Sequence, residues 1–189
     1  MDEFSEKLIH GRTHISPKRL GEPGPSPAAK EQILLAAQAA PDHGRKVPWR
    51  FIEIQASSRA SLGEVFSQCL LERDPSATPI QLQEAHDKAS RGPLLLLAIA
   101  NYQDLDQEIS KQEKLISLGC AIQNILLSAY ALGFGSGLSS GKALQSERLK
   151  KYFQLGLEEE AICFITIGTV SKHKPNRVRP SLSEYHSIF

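Results

Sequence analysis

Residues 113–135 read EKLISLGCAIQNILLSAYALGFG. From Leu115 to Leu132 apolar side chains fall on nearly every face of a helix, broken by Ser117, Gln123, Asn124 and Ser128. A helix without a polar face is packed on several sides, so this segment predicts the core helix of the domain. Gly133-Phe134-Gly135 is its stop, because glycine takes the left-handed conformation of a helix C-terminus at no side-chain cost. Two further apolar runs, PLLLLAIAN (93–101) and EEAICFITIGTV (159–170), suit strands buried on both faces. FIEIQA (51–56) alternates and suits a strand. Three or four strands separated by helices predict an α+β or layered α/β/α domain.

The remaining segments frame that core. EFSEKLIH (3–10) has helical spacing of Phe4, Leu8 and Ile9. Prolines from Pro17 to Pro27 then force an extended or turning segment. Ser26-Pro27 is an N-cap and first-turn pair for a helix through AAKEQILLAAQAA that stops before Pro41. RASLGEVFSQCLLER and SERLKKYFQL read as helices, and ATPIQLQEAHDKASRG as helical in its second half. Residues 104–114 are charged and read as exposed. The tail SKHKPNRVRPSLSEYHSIF is basic and carries no core pattern, so it either wanders or lies along a partner. No repeat or boundary interrupts residues 1–189, which predicts a single domain.

Composition narrows the function. The 189 residues carry a net charge of +1, which argues against nucleic-acid binding through bulk electrostatics. Three cysteines, Cys69, Cys120 and Cys163, form no pair or zinc spacing and point to a reducing compartment. The start resembles no signal peptide and no run of about 18 apolar residues occurs. The expectation is a cytoplasmic protein without membrane or metal.

The chemistry-bearing stretches are few. GFGSGLSSG (133–141) follows a helix rather than a strand, and Gly141-Lys142-Ala143 lacks the hydroxyl of a magnesium-binding loop, so neither a dinucleotide fingerprint nor a Walker loop is present. It reads as a small-residue turn offering close backbone approach. Arg12-Thr13, ending the first helix, could grip a phosphate through a guanidinium fork and a hydroxyl or be a surface turn. AAPDHGRKVPWRF (39–51) holds the one Trp in the chain. There Trp49 reads as an anchor for the turn, and His43 as a ligand donor, a satisfied loop residue, or an acid/base partner of Asp42. Cys120, on the apolar helix, reads as packing.

The order of LIHGRT, RLGEP, AAPDHGRKVPWRF, SLGCAIQN, ALGFGSG and TIGTV, from Leu8 to about Val170, resembles the flavin-dependent nitroreductase family, in its short single-domain members. The resemblance implies an α+β fold with a central mixed β-sheet flanked by helices, an intertwined homodimer with the long helix at its interface, and residues 172–189 extending over the partner subunit. It implies FMN at the subunit boundary and NAD(P)H as co-substrate. Hydride would pass through flavin N5 to a nitroaromatic, quinone or similar small acceptor in a ping-pong cycle, with no catalytic side chain. Carried over by motif, the cofactor-binding positions are Gly11, Arg12, Thr13, Ala39, His43, Leu138, Ser139 and Ser140, with nicotinamide against Ser128 to Gly133.

The chain departs from the family pattern at three of its positions. Gly11 stands for the first phosphate-clamp arginine, Val47 for a Gln or Asn, and Ser139 for an arginine. Lys18, Arg19, Arg45 and Lys46 are candidate compensating cations. The alternative reading of these departures is a nitroreductase fold that dimerises, binds flavin weakly and serves as a binding or regulatory module.

Overall fold

The computed structural model describes residues 2–103, 108–172 and 178–189. In chain order the elements are α1 (Asp2–Gly11), β1 (Leu20–Gly21), α2 (Pro27–Leu35), β2 (Trp49–Glu53), α3 (Arg59–Arg73), α4 (Pro79–His86), β3 (Leu94–Asn101), α5 (Lys111–Ala131), β4 (Gly135–Ser139), α6 (Glu147–Tyr152) and β5 (Glu159–Val170). Part of the exposed stretch expected over 104–114 lies outside the described residues.

One sheet organises the chain. β5 pairs with β3 along one edge and β4 along the other, β3 pairs with β2, and β1 adds two residues to β5. The mixed sheet that was expected is antiparallel in every named strand pair; the parallel element is an isolated bridge between His14 and Ser136. Side chains alternate across the pleat, and both faces of β3 and β5 are covered. On one face α5 and the segment after α2 enclose Leu96, Ala98, Ile165 and Ile167. On the other, α3, α4 and α6 enclose Leu95, Leu97, Ile99 and Phe164.

The core helix forms as its apolar circumference requires. Leu118, Ile125 and Ala129 of α5 are fully buried, and Ser110 caps its start in a reciprocal box with Glu113. By length and hydropathy alone α5 would pass as a membrane span, but here its buried residues pack on the sheet. Near its start, buried Lys114 donates to the Tyr102 carbonyl at 3.0 Å. Cys120 is half-buried against the same core, as its packing role requires.

Three readings change. GFGSGLSSG is not a plain turn: its middle is β4, a fifth strand whose pairing with β5 runs from Gly135↔Gly168 to Ser139↔Phe164. Glycine is needed there because the chain at Ile15 crosses it. A Cβ on Gly137 would run into the Ile15 carbonyl oxygen. The segment 77–92 is helical from Pro79, not only in its second half, because Thr78 forms a capping box with Gln81 and Pro79 takes the first turn. The α-helix begun by Ser26 and Pro27 ends at Leu35 and runs on as a 3-10 turn, Ala36–Ala39.

Buried Arg59 holds the α3 side together. It donates to the carbonyls of Ile54 at 3.0 Å, Ala89 at 2.8 Å and Pro93 at 3.3 Å, tying the start of α3 to the entry of β3. These bonds supply acceptors that a buried guanidinium would otherwise lack.

Candidate functional site

The expected site residues fall into two groups. The first contains Gly11, Arg12, Thr13, Leu138, Ser139 and Ser140. Gly11 ends α1, and the chain leaving it runs beside β4: the Ile15 amide donates to the Ser136 carbonyl at 2.9 Å. Thr13 therefore lies next to a strand of small residues. Leu138, Ser139 and Ser140 are exposed at the outer end of that strand. Ser139 pairs with Phe164 and shares its face of the sheet, whereas Leu138 pairs with Ile165 on the α5 side.

Arg12 gives this group its charge. Its Nε is buried without a hydrogen-bond partner among the described residues. Arg179, from the tail, donates to the carbonyls of His10 at 2.7 Å and Arg12 at 3.4 Å. Burial first, and the nearby Arg179 charge second, lower the pKa of Arg12 from its ordinary value. Two guanidiniums side by side, with no carboxylate bridging them among the described residues, make a site that an anion would stabilise. The motif reading missed Arg179; its sole signal in the sequence was the basic character of a patternless tail.

Gly11 has its own explanation. A side chain there would collide with the phenol oxygen of Tyr130, on the last turn of α5. The Tyr130 ring lies where a side chain at position 11 would start, so a clamp arginine there would require the ring to move. The positions expected near nicotinamide, Ser128 to Gly133, lie at this same end of α5.

The second group, Ala39 and His43, sits elsewhere. Ala39 is exposed at the end of its 3-10 turn. His43 is exposed, with Nδ1 3.1 Å from Glu113 Oε1 on the first turn of α5. Backbone hydrogen bonding from Ser110, then the His43 ring, holds the Glu113 carboxyl below the usual glutamate range. An Asp42–His43 acid/base pair does not form. Asp42 instead accepts the amides of Lys46 at 3.2 Å and Val47 at 2.7 Å. Those bonds hold a turn in which Gly44, Arg45 and Val47 all have positive φ, a costly conformation for β-branched Val47. Trp49 is buried in the core cluster that also holds Ile33, Ala37 and Ala100, and anchors the turn, as its sequence context suggested. An open trough of about 580 Å³ runs along this turn, between Leu34, Gln38, Asp42 and Trp49.

The two groups lie at opposite ends of α5. His43 meets Glu113 and Gly11 meets Tyr130, a separation of roughly 25 Å along the axis at 1.5 Å per residue.

Apolar side chains are exposed on α1, α5 and the tail. Phe4 and Ile9 of α1 are exposed, as are Leu115 and Ile116 of α5. Gly119, in the middle of the same helix, has open space where a Cβ would sit. In the tail Val178, Leu182, Tyr185, Ile188 and Phe189 are all exposed.

Comparison with known proteins gives these features a family. The nitroreductase family model matches residues 16–169. A Haemophilus influenzae protein named "Putative NAD(P)H nitroreductase" is 30% identical over 157 residues, covering 83% of this chain and 84% of its own. Among solved structures, the fold is similar to that of a nitroreductase-like family protein from Bacillus cereus, with a TM-score of 0.83 at 17% identity over 97% of this chain and 94% of that one. It is also similar to an FMN-dependent nitroreductase from Clostridium difficile R20291, with a TM-score of 0.66 at 18% identity over 95% and 96% of the two chains. The match of the family model to most of the chain establishes that this protein belongs to the nitroreductase family.

Proposed function

We propose that the chain is an FMN-dependent oxidoreductase that works as a homodimer and carries hydride from NAD(P)H to a small acceptor such as a nitroaromatic or quinone. The observation that carries the reading is the anion site at the end of α1, where the orphaned Nε of Arg12 lies beside the charge of Arg179. The phosphate of FMN fits that donor set, with Arg12, Thr13 and Arg179 to hold it. Further along β4, its outer end and the residue after it expose Leu138, Ser139 and Ser140. The short serine side chains leave room for a flat ring to approach, and Leu138 would give it an apolar contact. Bound FMN would supply the two-electron chemistry, the two substrates reacting in turn. The chain's own part is to bind the phosphate, orient the ring and exclude water.

The α5 geometry supports the homodimer. Three fused rings, a ribityl chain and one phosphate do not span the roughly 25 Å between the two ends of α5. If Arg12 and His43 touch the same FMN, they come from different subunits. The exposed apolar residues of α1 and α5 and the open position at Gly119 support that pairing. Beyond Arg179 the tail exposes Leu182, Tyr185, Ile188 and Phe189, and that apolar stretch suits a place across the partner. The decisive experiment is the visible spectrum and light-scattering mass of the purified protein. Yellow dimers support the reading; a colourless protein that leaves added FMN fluorescence unchanged ends it. A dimer that binds FMN but oxidises NAD(P)H no faster than free FMN favours the binding-module alternative, which the absence of an arginine at position 11 motivates.

A further inference from the structure

On the sheet face opposite α5, a cavity of about 340 Å³ opens between α3, the turn after α4 and the end of β4, within the size range of small-molecule sites. Its floor is apolar, built from Phe66, Leu70, Leu95 and Phe164. Its rim carries four cations: Arg73, Lys88, Arg91 and Lys142. Among the described residues no carboxylate lines it and none of the four is in an ion pair. The whole chain balances 22 Lys and Arg against 21 Asp and Glu, so this is a local separation of charge and not a general excess. Like charges around one low-polarity hollow repel one another, and the nearby apolar wall strengthens their pull on an anion. Ser139 and Ser140 close one side of the cavity.

We infer that this cavity binds a small anion with an apolar body, an aromatic carboxylate being the simplest case, and that this anion is the electron acceptor. The acceptor role rests on the proposed flavin contacts at Ser139 and Ser140; the binding does not. The ring lies on the phenylalanine and leucine floor while the carboxylate meets the cationic rim. A suitable probe is 4-nitrobenzoate. Its nitro group takes two electrons and two protons to give a nitroso group and water, while NAD(P)H and one proton give NAD(P)⁺ and supply both.

Steady-state NAD(P)H oxidation by the FMN-loaded protein is compared for 4-nitrobenzoate and its neutral analogue 4-nitrobenzamide. The same comparison is made for R91Q/K142Q and, separately, for R73Q/K88Q. In parallel, binding of 4-nitrobenzoate to each protein without added NAD(P)H is followed by calorimetry. The expected result is a kcat/KM about tenfold or more higher for the carboxylate, the size of one charge-assisted contact. That preference should fall to near unity in both variants, with the amide unaffected. Equal use of the two probes by the unaltered protein, or a carboxylate preference that survives both variants, overturns the proposal. If neither probe turns over but 4-nitrobenzoate binds and the variants lose it, the anion site stands and the flavin reading fails. Absence of both binding and turnover overturns the site itself.

Discussion

Tyr130 occupies the space beside Gly11: a Cβ added to Gly11 would overlap the Tyr130 phenol oxygen and come within 2.9 Å of its Cζ. The glycine at the end of α1 and the tyrosine at the end of α5 are therefore a matched pair. G11A should destabilise the protein, and Y130A should remove most of that cost by opening the space. A double-mutant cycle in urea should give a coupling energy between about 0.5 and 3 kcal/mol, the range for residues in contact. Additive effects would mean that Tyr130 swings aside freely. Introducing arginine at position 11 should not tighten FMN binding unless Tyr130 is shortened as well.

Arg12 and Arg179 should contribute unequally to cofactor retention. Arg12 is half-buried with an unpaired Nε, whereas Arg179 is exposed and already donates to two carbonyls. A hydrogen bond to a charged group contributes roughly 1.5–3 kcal/mol, so R12Q should weaken FMN about tenfold to a hundredfold by fluorescence titration. R179Q should weaken it less, because solvent screens the exposed partner. Similar affinity in R12Q and the unaltered protein would remove the phosphate from this site.

How far the sequence carried the fold depended on whether the signal was local. The all-round apolar character of Leu115–Leu132 and the Ser26-Pro27 cap act within a few residues, and both appear as read. β4 did not show, because Gly135-Ser136-Gly137 has no strand propensity; it is a strand through pairing with β5 and the close passage of Ile15. The site divides the same way. Arg12 and His43 could be picked out by motif, but Arg179 reaches Arg12 across 167 residues. Likewise, the role of Glu113 beside His43 depends on how α5 packs. The conflict between a side chain at position 11 and the Tyr130 ring is purely three-dimensional.

Ile116 tests the subunit arrangement. It lies 65% exposed on α5, near the open position at Gly119, and an exposed apolar patch of this kind is the usual mark of an interface. I116E should place a charge in the seam between subunits and reduce the light-scattering mass from two chains to one of 20.8 kDa. FMN should be lost with it, since the reading takes His43 and Arg12 from different subunits. The helical circular dichroism should remain, because the side chain does not enter the core. A variant that stays dimeric and yellow would move the interface off α5.

Acid should act on the junction between β2 and β5. Glu159 accepts from Arg50 Nε at 2.6 Å and Nη2 at 2.8 Å, across the intervening strand β3, and from the Gly156 amide at 2.9 Å. The Arg50 hydrogen bond is the largest cause holding the Glu159 carboxyl below its ordinary value; burial opposes it. A carboxyl with a depressed folded pKa binds its proton less readily than in the unfolded chain. Its stabilisation is therefore complete above the unfolded value near 4.5 and is lost as pH falls through the lower folded value. Urea midpoints of the unaltered protein and E159Q should differ most at about pH 7 and converge below about pH 4, as the unaltered carboxyl becomes protonated. A gap of constant width across that range would show that the Arg50–Glu159 pair adds no pH-dependent stability and that Glu159 acts there only by its shape and its bond to Gly156.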